Sequence, residues 1–447
     1  MDFRNVADVI GFLDAQGEAV TVDREVDPVF EIAALIRKSS DTSGPAFRIP
    51  SVKGHPGWTV VGGVYNYRRV AKMLDCSESD LVKRFAAAVK HPIAPVRVSE
   101  GECQRHVLTG DDVDLTQLPI PVHSEDDAGR YITAGVIMAH DPVSGSRAMG
   151  IHRLQLKGPR KLGLNAPEER RVSRAFLHSE DLGQPLHIAV VIGGGPYIDL
   201  ASQAKVSHDV DKLGVAGGLR GKPIGLIKAV TSDVEVPADA QLVLEGRILP
   251  GVRELEGPFG EVAGTYGEED RRAVVEIDAI TYRNKIYQTV LTGMPTTENH
   301  VMGWPAICES VRRYAEQATP DVVDVHAVGP YYVAIVSIKK RMPYEARNVI
   351  LSVLGPTAGA PQAKYCIVVD EDIDVRNWDQ VLWALYTRVQ PQDDVLLLPL
   401  MVGSPLDPSA PIWRHSQKIG FDATKPLGEE GSRFRRVLVP GSEDATW

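Results

Sequence analysis

Between residues 105 and 300 the chain is a succession of short, apolar, β-prone segments with few helix-length patterns among them. Residues 131–140 and 148–156 flank a turn composition, Asp141-Pro142-Val143-Ser144-Gly145. Further strands are expected over 187–192, 224–236, 241–248, 273–282 and 286–292. A lone strand leaves backbone donors and acceptors unpaired, so this many in one stretch must pair with each other. The expectation is a β-barrel-like core over 105–300. Helical spacing at 5–16, 29–39, 68–74 and 79–89, with a strand over 58–64, predicts an N-terminal α/β cap, residues 1–104. Residues 301–318 read as a linking helix. Beyond them, strand patterns (331–338, 365–370, 395–400) alternate with helical ones (344–354, 378–387), which predicts a C-terminal α/β domain and tail over 319–447.

One stretch of the core carries chemistry. In Leu255-Glu256-Gly257-Pro258-Phe259-Gly260-Glu261 two carboxylates bracket a turn. Residues five apart on a plain strand face opposite sides. Gly257, Pro258 and Gly260 bend the chain here, because glycine tolerates positive φ and proline fixes its own. Both glutamates can then aim at one spot, and paired carboxylates with separated pKa values suit proton transfer. A surface turn with two solvated acids is the plainer reading of the same residues.

Composition narrows the class. The content of 43% hydrophobic and 24% charged residues is that of an ordinary globular protein. A formal charge of −10 argues against nucleic acid or an anionic membrane as a default partner. The apolar runs are too short to span a bilayer, and no h-region follows Met1, so a cytoplasmic enzyme is expected. Cys76, Cys103, Cys308 and Cys366 lie far apart without C-x-x-C spacing, which signals neither a zinc site nor a redox dithiol. The glycines of Gly193-Gly194-Gly195-Pro196 follow a strand, but no G-x-G-x-x-G opens a helix there.

Several stretches, in order, carry a resemblance. They are Tyr131-Ile132-Thr133, Gly150-Ile151-His152-Arg153, Val234-Glu235-Val236-Pro237, Glu256-Gly257-Pro258-Phe259-Gly260-Glu261, Ile280-Thr281-Tyr282-Arg283, Asp370-Glu371-Asp372 and Lys418-Ile419-Gly420-Phe421-Asp422. Over residues 105–426 the chain resembles the UbiD family of prenylated-FMN-dependent decarboxylases. The resemblance implies a split β-barrel flavin-binding core joined by a helix to a C-terminal α/β oligomerisation domain. It also implies reversible non-oxidative decarboxylation of an aromatic, here heteroaromatic, acid, and a homodimer or hexamer supplied with cofactor by a flavin prenyltransferase. Position by position, Arg153, Glu256 and Glu261 match the catalytic set, with Glu261 giving a proton to the ring carbon. A buried Arg–Glu pair of purely structural role is the alternative. Ile151, His152, Arg153, Ser202 and Lys418 match cofactor-binding positions, and Asn299 and Gly303 match positions beside the substrate. An amide at Asn299 can hold a ring N–H.

The chain departs from the family at the cofactor phosphate, where a divalent manganese or magnesium ion, with potassium, is usual. The three metal-ligand positions read Ala148, Glu169 and Lys212. Lys212 and Lys418 are expected to replace part of the metal's charge, with Arg171 as a helper. Two other readings stay open: a flavin-binding relative that has lost turnover, and a subunit of a carboxylase assembly.

Overall fold

In the computed structural model, which describes residues 2–293, 298–329, 331–355, 363–410, 415–437 and 439–440, two strands run far longer than their neighbours. Leu242–Glu256 and Asp270–Tyr282 pair antiparallel, from Leu242 opposite Tyr282 to Glu256 opposite Asp270. Leu242, Leu244 and Ile248 from one strand and Val275, Ile277 and Ile280 from the other enter one buried apolar cluster. The register shifts at Glu245/Gly246, where a Cβ on Gly246 would lie 2.0 Å from the Glu276 carbonyl oxygen, so glycine is required.

Around this hairpin nine strands form one sheet. Its order is Tyr131–Ile132, Arg153–Gly158, Lys161–Asn165, Asp270–Tyr282, Leu242–Glu256, Leu186–Ile192, Val136–His140 and Arg147–Ile151, with His106–Thr109 also paired to Asp270–Tyr282. Each of these pairings is antiparallel. Among the described residues no ladder joins the two ends of the path, so hydrogen bonds do not close the barrel-like core expected from the sequence. The chain itself links the ends. Ile132 leads on to Val136, and Ile151 reaches Arg153 through His152 alone.

That second link corrects the strand expected over 148–156. His152 divides it, because the two halves pair with neighbours at opposite ends of the sheet, Val136–His140 for one and Tyr131–Ile132 with Lys161–Asn165 for the other. One straight strand cannot serve both.

The chain falls into two compact units, Met1–Glu309 and Ser310–Trp447. Within the first, the N-terminal strands Ala19–Thr21, Ala46–Ile49 and Thr59–Gly62 form a sheet completed by Ile286–Gln288, which pairs parallel with Thr59–Gly62. In the second unit a five-stranded sheet runs Val322–Val328, Val333–Ile338, Tyr365–Asp370, His415–Ala423, Val395–Val402. Its core gathers Ile335, Ile367, Val369 and Ala423 under the helix Trp378–Arg388, which contributes Val381 and Ala384. The helix Glu298–Ala315 carries the chain from one unit into the other. No described helix is long and apolar enough to cross a membrane. The fold is mixed α/β.

Candidate active site

Arg153 is the first residue of its strand and is buried. It meets Glu256 through two parallel bonds, Nε to Oε1 at 2.9 Å and Nη2 to Oε2 at 2.7 Å. Its remaining nitrogen, Nη1, donates to Oε1 of Glu261. A guanidinium offers this fork geometry and an ammonium does not. Glu256 ends the long strand and is 1% exposed, whereas Glu261, past the turn, keeps 17% of its side chain open. One carboxylate is sealed in and the other can reach a bound molecule.

The turn between them follows from its residues. Gly257 has φ +93°, and a Cβ there would sit 2.9 Å from the Glu268 carbonyl oxygen. Phe259–Gly260 pairs with Tyr266–Gly267 in a second, small hairpin that brings Glu261 back toward Arg153. Asp127 Oδ1 accepts from the Gly260 N–H at 2.9 Å and Oδ2 from that of Ser124, also at 2.9 Å. Burial raises the Asp127 carboxyl despite these bonds. The Phe259 ring lies 5.1 Å from the Arg153 guanidinium carbon and 4.4 Å from the Tyr131 ring, which gives the ion pairs an apolar wall.

Two neighbours escaped the sequence reading. Asn165, opposite Arg153 on the adjacent strand, meets Nη2 at 2.7 Å when its amide oxygen faces the guanidinium. Gly163 lies where a Cβ would be 3.3 Å from Glu256 Cγ, leaving room for that side chain. Neither residue type in a short strand signals a site in sequence; only the register reveals it.

Three of the expected cofactor positions, Ile151, His152 and Ser202, lie on the strand Arg147–Ile151, just past it, and on the helix Pro196–Ser202 that packs against it. Ile151 ends its strand half-buried, and His152 is buried. Burial, with Arg170, Lys212 and Lys205 nearby, pushes the imidazole down to about 3, so it is neutral. Ser202 closes the helix Pro196–Ser202, and its carbonyl accepts from Lys212 Nζ at 2.5 Å. Ala148 is buried in the apolar cluster of the sheet. Arg171 acts electrostatically on Lys212, while its guanidinium donates to the carbonyls of Val210 and Val206, both at 2.9 Å, and of Ser207.

Lys418 belongs to the second unit, buried on His415–Ala423, with Nζ donating to the Leu354 carbonyl at 2.8 Å; burial lowers its pKa. Asn299, half-buried, is the second residue of the helix Glu298–Ala315, and Gly303 is buried further along it. Thr296 and Thr297, quoted with Asn299 in the same stretch, lie outside the described residues. Thr292 Oγ1 donates to the Gly260 carbonyl at 2.9 Å, so the chain that leads to Asn299 sets out from beside the Glu261 turn.

Three domains of 3-octaprenyl-4-hydroxybenzoate carboxy-lyase (UbiD) match this chain: the N-terminal domain over residues 10–89, the Rift-related domain over 95–295 and the C-terminal domain over 300–423. The chain belongs to the UbiD family of carboxy-lyases. Among solved structures, the UbiD-class enzyme HmfF from Pelotomaculum thermopropionicum in complex with FMN is 36% identical, with TM-score 0.91 and 99% of each chain covered. Vanillic acid decarboxylase from Sedimentibacter hydroxybenzoicus is 30% identical at TM-score 0.90, covering 99% of this chain and 98% of that one. A 3,4-dihydroxybenzoic acid decarboxylase from Enterobacter cloacae is 30% identical at TM-score 0.88, covering 100% and 99%.

Proposed function

We propose that this chain is a prenylated-FMN-dependent decarboxylase of a small aromatic acid, and that the acid is a heteroaromatic one of the pyrrole, indole or furan type. The observation that carries the reading is one buried guanidinium shared by two carboxylates of unequal exposure, Glu256 and Glu261, in a chain of carboxy-lyase family. Relatives with FMN or prenylated FMN bound support the cofactor. A flavin phosphate also fits what this chain places around His152, namely Arg170, Lys205 and Lys212. A sheet whose end strand Arg147–Ile151 continues through His152 into Arg153–Gly158, next to its other end, suits the split barrel of the family, with cofactor on the His152 side.

Loss of CO2 from an aromatic ring leaves a carbanion that no side chain delocalises; when bound, prenylated FMN supplies that electron sink. The protein's share is orientation and a proton. Glu256 holds the guanidinium in one rotamer, with Asn165 beside it. Arg153 then presents charge toward a substrate carboxylate and steadies Glu261. Glu261, the more open acid, carries the proton that replaces CO2 on the ring carbon. Phe259 and Tyr131 keep water off these ion pairs, which strengthens them. Asn299 supplies an amide to a ring N–H, and Gly303 leaves space beside it. Self-association is part of the reading: Trp378, Leu382 and Tyr386 lie exposed along one face of Trp378–Arg388.

The test is co-expression with a flavin prenyltransferase, followed by a screen of aromatic and heteroaromatic acids for CO2 release. Turnover of pyrrole, indole or furan acids is expected. A cofactor-loaded protein that releases CO2 from no acid would favour a flavin-binding relative without turnover.

A further inference from the structure

A flavin phosphate brings up to two negative charges into the protein, and burying them requires compensating charge. The divalent metal usual in the family does not fit here. At the first ligand position Ala148 turns a methyl group into an apolar cluster, with 3% of the residue exposed. At the third, Lys212 places a buried ammonium 2.5 Å from the Ser202 carbonyl, where a cation would be repelled. Among the described residues no three His, Cys, Asp or Glu side chains converge on a point.

Positive side chains gather there instead. Lys212 opens the helix Lys212–Arg220, Lys205 follows the helix Pro196–Ser202, and Arg170 precedes the helix Arg171–Asp181. These three act electrostatically on the buried His152. Arg171 and Arg170 both act electrostatically on Lys212, and Arg170 and Lys212 on Lys205. Glu169 is the carboxylate that offsets part of this at Lys205. Cations crowded at such a cost are stabilised by an anion of matching charge.

We infer that Lys212, Lys205 and Arg170 form a metal-independent clamp for the cofactor phosphate, taking over the work of the divalent ion. The inference rests on the flavin-binding part of the proposed function, not on turnover.

The experiment uses the full chain purified without cofactor, with FMN and riboflavin as probes and flavin fluorescence as readout. FMN affinity is expected to stay within about twofold between EDTA and added manganese, and to exceed that for riboflavin. Lys212→Met, which keeps the stem and removes the charge, should weaken FMN about ten- to hundredfold, the worth of a charge-assisted hydrogen bond, and leave riboflavin unchanged. Lys212→Glu should weaken it further, with thermal melting confirming that both variants fold. Release of FMN by EDTA and its recovery with one equivalent of manganese would overturn the clamp. So would an unchanged FMN-to-riboflavin ratio in Lys212→Met. Because no substrate is present, a chain that binds FMN as described yet releases no CO2 would refute only the catalytic reading.

Discussion

Arg153 grips Glu256 as a fork, at 2.9 and 2.7 Å, and both groups are buried. That leaves a single guanidinium nitrogen, Nη1, for Glu261. The division is unequal: Glu256 holds the guanidinium by two bonds and Glu261 by one.

Arg153→Lys therefore separates geometry from charge. An ammonium reaches one oxygen of Glu256 and loses the second bond of the fork, which weakens the buried pair. Thermal melting should fall, and kcat/KM should drop by at least about a hundredfold with FMN affinity retained. Near-native kcat/KM in a folded Arg153→Lys protein would move the pair to a structural role.

Glu261→Gln should keep the fold and the flavin and lose about 10² to 10⁴ in kcat, the usual share of general acid–base groups. Glu256→Gln should instead show a larger stability loss, since its side chain is sealed against the guanidinium. Equal stability losses and equal kcat in the two variants would contradict the division of labour.

The substrate reading has its own discriminating variant. If Asn299 accepts a hydrogen bond from a ring N–H, Asn299→Ala should lower kcat/KM for pyrrole and indole acids by about five- to hundredfold, corresponding to about 1 to 3 kcal/mol. Furan and benzene acids should lose less. A uniform loss across the panel of acids would remove the N–H argument.

Much of this was legible in sequence where chemistry is local. The Glu256-to-Glu261 turn is announced by Gly257, Pro258 and Gly260, and the structure folds both carboxylates onto Arg153. What depends on register was not legible. Asn165 and Gly163 reach the site because Lys161–Asn165 lies beside Arg153–Gly158 in the sheet. Ile286–Gln288 completes the N-terminal sheet across more than half the chain, which no periodicity encodes. Lys205 and Arg170 carry no signal of their own in the sequence; separate segments of the fold bring them to His152. Arg171, expected as a helper to Lys212, acts on it electrostatically while donating to loop carbonyls.

Tyr65 bridges two buried acids, its N–H donating to Glu298 Oε1 at 3.1 Å and its hydroxyl to Asp199 Oδ2 at 2.6 Å. Burial raises the Glu298 carboxyl from 4.5 to about 7 and that of Asp199 from 3.8 to about 6. An acid raised in the folded state binds more protons folded than unfolded between its two values. Its stabilising effect is therefore full below the unfolded value and is lost as pH climbs through the folded one. For Glu298 that window runs from 4.5 to about 7, and the loss amounts to about 3 kcal/mol. Glu298→Gln cannot ionise, and its amide oxygen can still accept from the Val64 and Tyr65 N–H groups. Melting temperatures of the two proteins measured from pH 5 to 8 should diverge in favour of the variant as pH rises. A difference that stays constant over that range would show that Glu298 ionises in the folded protein as it does in water.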